Sequence, residues 1–346
     1  MHFSINNHTA YNRQTGLALI SVLFIFALVS MLAISMVDRQ QRDIAQATAT
    51  FENTQAYILA LSAEEVVKAG LIFDADRDSS SNEQWDTSAE LWNQVVPLEI
   101  EGARIKVSVR DLQGLFNLNW LHEDSGKQAV SFTRFQSLLS EIGLDTAIAT
   151  NLKHWFTPGA GFNYEYQNQE PPYSASEIPM IHPSELLLVS EVTAEAYRKL
   201  EPFITALPPK TPLNINTTLP EVIGSWDVGL TLDGANNLVS KTRPGTCEQD
   251  RATAVYKTVD EFLNEESVSA LTDKDKFPNH QWVADDFDVK TEYFSVFITI
   301  ELNERVLVLE SIIKRDPDSA VVAVYRDFSR APSIDDHLVK NANCTG

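Results

Sequence analysis

Residues Leu17 to Val37 read LALISVLFIFALVSMLAISMV, a run of 21 without a charged side chain, with Ser21, Ser30 and Ser35 as its only polar members. At 1.5 Å rise per residue, a helix of this length reaches roughly 30 Å, the thickness of a bilayer's hydrocarbon core. The run is longer than the apolar stretch of a secretory signal, and no small-residue cleavage site follows it. A glycine, Gly16, stands in front of it instead, at the end of a polar prefix that holds Arg13. That arginine favours a cytoplasmic N-terminus by the positive-inside tendency, with the bulk of the chain on the far side of the membrane. From Asp38 to Ala69 there is neither Pro nor Gly, and Ile44, Ala47, Phe51, Ile58 and Leu61 recur at spacings of three, four or seven. The pattern predicts one helix over 17–69, the first part, 17–37, in lipid. Gly70 is its expected C-cap and Asp74 to Asn82 the loop beyond.

Further along, the periodicity changes. Ala103 to Arg110 (ARIKVSVR) alternates apolar and polar residues as a half-buried strand does. Three more such runs close the chain: EYFSVFITIEL from Glu292, RVLVLESIIKR from Arg305 and AVVAVYRDF from Ala320. Asn303-Glu304 and Asp316 to Ser319 are the expected hairpin connections. Between the two groups of strands the pattern is helical. Phe132, Phe135, Leu138, Leu139 and Ile142 form one stripe capped by Gly143. Pro183-Ser184-Glu185 opens a second helix, and Thr193-Ala194-Glu195 a third that ends near Leu207-Pro208. Leu219-Pro220 and Val259-Asp260 open two more.

Asp111 to Asn119, DLQGLFNLN, resembles the D-x-Q-G-x-F-N-x-N element of the type II secretion minor pseudopilin K, the general secretion pathway protein K family. Glu185 to Val189, Tyr197 to Leu200, Ala206 to Pro208, Pro212 to Thr218 (PLNINTT) and Glu292 to Val296 follow that family's order. The resemblance runs from about Gly16 to Phe328. It implies an α+β pseudopilin fold: one long N-terminal transmembrane helix packed on an antiparallel sheet, which a large α-helical, SAM-like insert interrupts. The implied organisation is a prepilin leader (1–16), the transmembrane part of the helix (17–37), and the periplasmic helix with the first strands (38–124). The inserted α-domain (125–283), the remaining strands (284–330) and a C-terminal tail (331–346) follow.

The same resemblance implies a function in assembly rather than in catalysis. A prepilin peptidase would cut between Gly16 and Leu17, leaving an inner-membrane, single-pass protein with its bulk in the periplasm and a methylated N-terminus. The exposed helix would join the minor pseudopilins I and J at the tip of the pseudopilus, starting and capping the filament that exports folded periplasmic proteins. Pilin-class subunits carry a Glu at the fifth residue after the cut, whereas this chain has Ser21 there, as suits a tip subunit with no neighbour ahead to pair with a buried acid. The alternative is a single-pass anchored periplasmic protein that binds a ligand or secreted cargo and forms no filament.

Composition agrees with an extracytoplasmic, non-nucleic-acid role. The chain has 27 Lys and Arg against 48 Asp and Glu, a net charge of −21. Such acidity opposes binding to phosphate backbones and anionic lipid, and it weighs against reading PLNINTT as the entry to a DNA-binding helical hairpin. The sequence shows no nucleophile elbow, zinc-protease motif or phosphate loop, and its seven His have no ligand spacing. The two cysteines, Cys247 and Cys344, are expected to pair in an oxidising compartment. Calcium is the one cofactor the resemblance implies. The family's acidic D-W-x-D-x-D and G-A-E elements appear here as HWFT from His154 and GAG from Gly159, so other carboxylates become the candidates. These are Asp74, Asp76 and Asp78, spaced like the start of a calcium loop, then Glu248 with Asp250, and Asp273 with Asp275.

Overall fold

The computed structural model describes residues 15–81, 85–93, 96–100, 102–157, 159, 163–242, 255–272, 282–303, 305–316 and 320–329. The chain divides into two units, Met1–Tyr57 and Ile58–Gly346. Helix α1, Thr15–Ser81, contributes to both. In the first unit the apolar residues from Leu17 to Val37 are solvent-facing, and among the described residues α1 is the one helix long and apolar enough to cross a membrane.

The second unit begins with the rest of α1. Its buried positions Ala60, Ala63, Glu64, Leu71 and Asp74 follow helical spacing and form one stripe. The expected stop at Gly70 is therefore corrected: the helix runs on to Ser81, and the predicted loop from Asp74 is its last turns. A glycine inside a helix costs only about 1 kcal/mol relative to alanine. Burial of Leu71 and the partners of Asp74 outweigh that.

Strands β1 (Val96–Ile100) and β2 (Ala103–Asp111) follow. The chain then leaves the sheet through β3 (Phe116–Asn117) into α2 (Gln128–Glu141), α3 (Ala147–Trp155), α4 (Asn163–Gln167) and α5 (Ala194–Leu200). Next come β4 (Ile204–Thr205), β5 (Leu213–Asn214), α6 (Pro220–Gly224), α7 (Leu232–Ser240), α8 (Val259–Leu263), α9 (Glu266–Thr272) and β6 (Phe287–Asp288). The chain returns to the sheet in β7 (Tyr293–Leu302), β8 (Arg305–Arg315) and β9 (Val321–Asp327). The main sheet has the order β1-β2-β7-β8-β9, with every pair antiparallel. Its register places Val107 opposite Ile298 and Ile298 opposite Leu309, so one face is a continuous apolar surface. Ser311, on that same face, donates to Glu64 of α1 at 2.7 Å, which identifies the face that α1 covers.

Two segments differ from their sequence-based expectation. Pro183–Leu188 is a 3-10 helix, not an α-helix, and α5 ends at Leu200, well short of Leu207-Pro208. The reason for the second is tertiary. Ile204 and Thr205 pair in parallel with Phe116 and Asn117, and the Leu207 N–H donates to the Asn117 side chain at 3.0 Å. Extended backbone is needed there. The helical segment shares one core from Phe116 to Val289, in which Phe116 stacks on Phe135 and Trp120 meets Trp226 edge to face, with centroids 5.2 and 5.4 Å apart.

Candidate functional site

The residues singled out by the DLQGLFNLN and PLNINTT motifs meet in one buried polar joint between the sheet and the helical segment. Asp111 ends β2, and its Oδ2 accepts from the Thr217 hydroxyl, from the Thr291 hydroxyl at 2.5 Å and from the Asn214 amide at 3.0 Å, while Oδ1 accepts from Gln113 N–H at 2.6 Å. Gln113 accepts from Glu292 N–H at 2.6 Å, and its own carbonyl accepts from Asn214 N–H at 2.9 Å. Gly114 packs so closely on Thr217 that a Cβ there would sit 2.7 Å from the Thr217 carbonyl oxygen. Asn117 accepts from Asn119 N–H and Leu207 N–H, and Asn119 brackets Met180 by accepting from its N–H and donating to its C=O, at 2.7 and 2.8 Å. Asn216 does the same for Tyr256, at 3.0 and 2.9 Å. The acid and amide side chains of both motifs thus bind backbone or side chains from distant segments. Burial pushes the Asp111 carboxyl up to about 6, partly offset by the hydroxyls of Thr217 and Thr291.

A second cluster joins three carboxylates to one guanidinium. Asp74 from α1 and Asp86 and Glu90 from the following loop place a ligand oxygen each within 4.8 Å of one another. Arg315, at the end of β8, reaches Asp86 at 2.5 Å, the Thr291 carbonyl at 2.8 Å and Asp74 at 3.6 Å. Burial, reinforced by the negative Asp86 and Asp74, pushes Glu90 up to about 9, so it carries a proton at neutral pH. Its oxygens accept from Thr87 N–H and Trp92 Nε1–H at 2.6 and 2.7 Å.

This geometry tests the first calcium candidates. Asp74 and Asp76 lie two residues apart on a helix, about 200° around its axis, so they point in different directions and cannot converge on one ion. Asp74 is buried and Asp76 exposed, and Asp78 lies where only the backbone is described. The group that Asp74 does join does not fit calcium either. Hard cations take six to eight oxygens, whereas this group brings three carboxylates together and the Arg315 guanidinium already supplies a positive charge to two of them. Glu248, Asp250, Asp273, Asp275, Cys247 and Cys344 fall outside the described residues.

The N-terminal candidates are placed by α1. Gly16 and Leu17 lie in its first turn, and the Ser21 hydroxyl donates to the Leu17 carbonyl at 2.9 Å. Ser35 does the same to Met31 at 2.9 Å. These bonds satisfy both hydroxyls inside the helix. The acid absent from the apolar part of α1 has a counterpart deeper in the chain. Glu64, fully buried, accepts from Arg326 through both Nε and Nη2 at 2.7 Å and from Ser311 at 2.7 Å, and pairs with Lys68 at 2.8 Å. Burial alone would raise it, but the bonds from Arg326, Lys68 and Ser311 hold it down at about 2. Sequence reasoning did not single out Glu64, Glu90 or Arg315; an acid on the buried stripe of α1 was the available signal for the first.

Known proteins resemble this chain along nearly all of its length. Residues 114–209 match the family model for protein K of the type II secretion system. Type II secretion system protein K of Pseudomonas aeruginosa is 27% identical over 339 residues, covering 92% of this chain and 93% of its own. That of Klebsiella pneumoniae is 29% identical over 293 residues, with 79% and 85% covered, and that of Aeromonas hydrophila 27% identical, with 91% and 97% covered. Among solved structures, a chain of the GspK–GspI–GspJ complex of the enterotoxigenic Escherichia coli type 2 secretion system is similar in fold. Its TM-score is 0.65 at 21% identity, covering 83% of this chain and 100% of that one. The resemblance to the protein K family holds, and so does the α+β pseudopilin fold it implies.

Proposed function

We propose that this chain, a relative of type II secretion system protein K, is a minor pseudopilin that sits at the tip of the pseudopilus and both starts and caps the filament. A prepilin peptidase cuts between Gly16 and Leu17, and the shortened helix stays in the inner membrane with the second unit in the periplasm. The helix then packs against those of the minor pseudopilins I and J. Ala18, Ala27, Ala33 and the serines keep its surface small enough for close approach in lipid, where packing rather than hydrophobicity drives association. The helical segment between β2 and β7 stands in the way of a further subunit.

The observation that carries this reading is the state of Ser21. A charge at the bilayer centre costs about 2.5–3.5 kcal/mol on insertion scales, so a pilin-class Glu is tolerable only beside a partner amine from the subunit ahead. Ser21 needs no such partner, because its hydroxyl is bonded to Leu17 of the same helix. A subunit built this way can lead. The similarity to a chain solved together with GspI and GspJ supports the choice of partners.

Mass spectrometry of the membrane-extracted protein tests the first step, with a mature chain beginning at Leu17 and a methylated amine as the expected result. Retention of residues 1–16 would leave an anchored protein without a filament role. Gly16→Ala should block both processing and secretion, and unimpaired secretion by that variant would refute the proposal.

A further inference from the structure

The segment from Ile178 to Leu188 displays large apolar side chains that neither the fold nor the assembly reading uses. Ile178 is 60% exposed, Ile181 67%, Leu187 43% and Leu188 47%. Single exposed apolar residues are ordinary, but four within eleven positions of one segment are a local concentration of the kind that marks interaction sites.

The backbone beneath them is fixed. Met180 is bonded to Asn119 through both its N–H and its C=O. The N–H groups of Ile181 and His182 donate to Glu185 at 2.7 and 3.1 Å, and the His182 ring accepts from Ser184 N–H at 3.1 Å, closing a capping box on the 3-10 helix. Tyr173 donates its hydroxyl to the Leu188 carbonyl at 3.0 Å, and Glu177 N–H donates to Trp155 O at 3.1 Å. The side chains are therefore presented on a preorganised frame, which lowers the entropy lost on binding.

Charge selects the occupant. From His154 to Tyr197 the sequence has no Lys or Arg, while Glu170, Glu177, Glu185 and Glu191 form an acidic fringe along the chain before, within and after the apolar positions. An anionic lipid surface is repelled by that fringe. So is a second copy, which carries the same fringe and the same net charge of −21. We propose that the Ile178–Leu188 surface docks a segment of another protein in which apolar side chains are flanked by Lys or Arg. This goes beyond the pseudopilin reading and does not depend on it.

The test uses the full chain in phosphatidylcholine nanodiscs, with empty discs as the blank, and fluorescence anisotropy of labelled 12-residue peptides. One peptide repeats Lys-Lys-Ile-Leu, a second repeats Lys-Lys-Ser-Ser and a third Glu-Glu-Ile-Leu. The first should bind at least tenfold more tightly than either of the others. Replacing the apolar set (Ile178→Ser, Ile181→Ser, Leu187→Ser and Leu188→Ser together) should weaken the first peptide about tenfold and leave the second unchanged. Glu170→Gln with Glu191→Gln should weaken both lysine peptides. Because all the substituted side chains are exposed, the variants keep the fold, which far-UV circular dichroism verifies. Equal binding of the first two peptides, or unchanged binding by the serine variant, overturns the proposal. A dimer of the free protein, or binding to phosphatidylglycerol vesicles, that is abolished by the same serine variant would reassign the surface and overturn it too.

Discussion

Two glycines, Gly70 and Gly114, should answer an added methyl group in opposite directions. Gly114 sits in the polar joint, where a Cβ would stand 2.7 Å from both the carbonyl oxygen and the hydroxyl of Thr217, and 2.8 Å from its carbonyl carbon. Contacts that short force one segment away from the other, and Thr217 is itself tied to Asp111. Overpacking of this kind costs about 1–3 kcal/mol, and loosening the Asp111 bonds places Gly114→Ala at the upper end. Gly70 lies inside α1 with open space where its methyl would go, nothing standing within 4 Å, so Gly70→Ala only relieves the helix of a poor former. That gain is about 0.5–1 kcal/mol. At about 2–4 °C per kcal/mol for a domain of this size, Gly114→Ala should lower the melting temperature by about 6–10 °C and Gly70→Ala should raise it by about 1–4 °C. Thermal unfolding of the detergent-solubilised protein, followed by tryptophan fluorescence, reads both, since Trp120 is buried a few residues from Gly114. Adding Thr217→Ala to Gly114→Ala should not rescue it, because the backbone carbonyl remains in the way. The reasoning fails if Gly114→Ala melts within about 1 °C of the parent, well inside the expected shift, or if the threonine change restores it.

Other perturbations follow from the buried charges. Glu64 has its folded value lowered from 4.5 to about 2, so its contribution is complete above about 4.5 and is lost as the pH falls through 2. Because the Arg326 side chain is 43% exposed, that contribution is about 1–2 kcal/mol, and Glu64→Gln should flatten the stability profile between pH 4.5 and 2 in acid titrations of the melting temperature. Arg315→Met should cost about 3–5 kcal/mol at neutral pH by removing the cation from buried Asp86. Urea unfolding should show part of the loss recovered in acid, because burial already pushes the Asp86 carboxyl up and Arg315 is what opposes that. Chelation with EDTA should leave this cluster intact, as judged by an unchanged melting temperature in a variant pair with and without Arg315→Met. A chelator-dependent shift only in the parent would place a cation among these acids.

Periodicity made the large elements legible. The apolar run in α1, the alternation in β2 and β7 to β9, and the stripe of α2 each repeat over enough residues to stand out from their surroundings. The end of α1 was not legible, because the local signal at Gly70 was overridden by the burial of Leu71 and by the contact of Asp74 with Arg315, far along the chain. The two-residue strands β3 to β6 have no period to read at all; each exists because a distant partner supplies the ladder. The Asp86–Arg315 contact spans 229 positions, so nothing local to either residue announces it. The motif residues were found as a resemblance, but not their role, since Asp, Gln and Asn at those spacings suit a binding site as readily as a structural joint.

The polar joint explains why so many hydrogen-bonding side chains are buried where the helical segment meets the sheet. Asn117, Asn119 and Asn216 each donate to and accept from groups elsewhere in the chain, and Asn214 donates to Asp86, Asp111 and Thr291. A hydrophobic side chain cannot do this, and buried backbone groups must be paired somewhere. Leaving the sheet at Asp111 and rejoining it near Thr291 exposes backbone that no regular ladder covers. The side chains of Gln113, Asn117, Asn119, Asn214 and Asn216 substitute for that ladder. Glu64 applies the same logic to α1. Small residues such as Ala60 and Ala63 allow close approach to the sheet but tolerate sliding, whereas a shift of one turn, about 5.4 Å, would pull Glu64 away from Ser311 and Arg326 together. Apolar burial therefore supplies most of the adhesion, and the buried acid sets the register at which the helix stops.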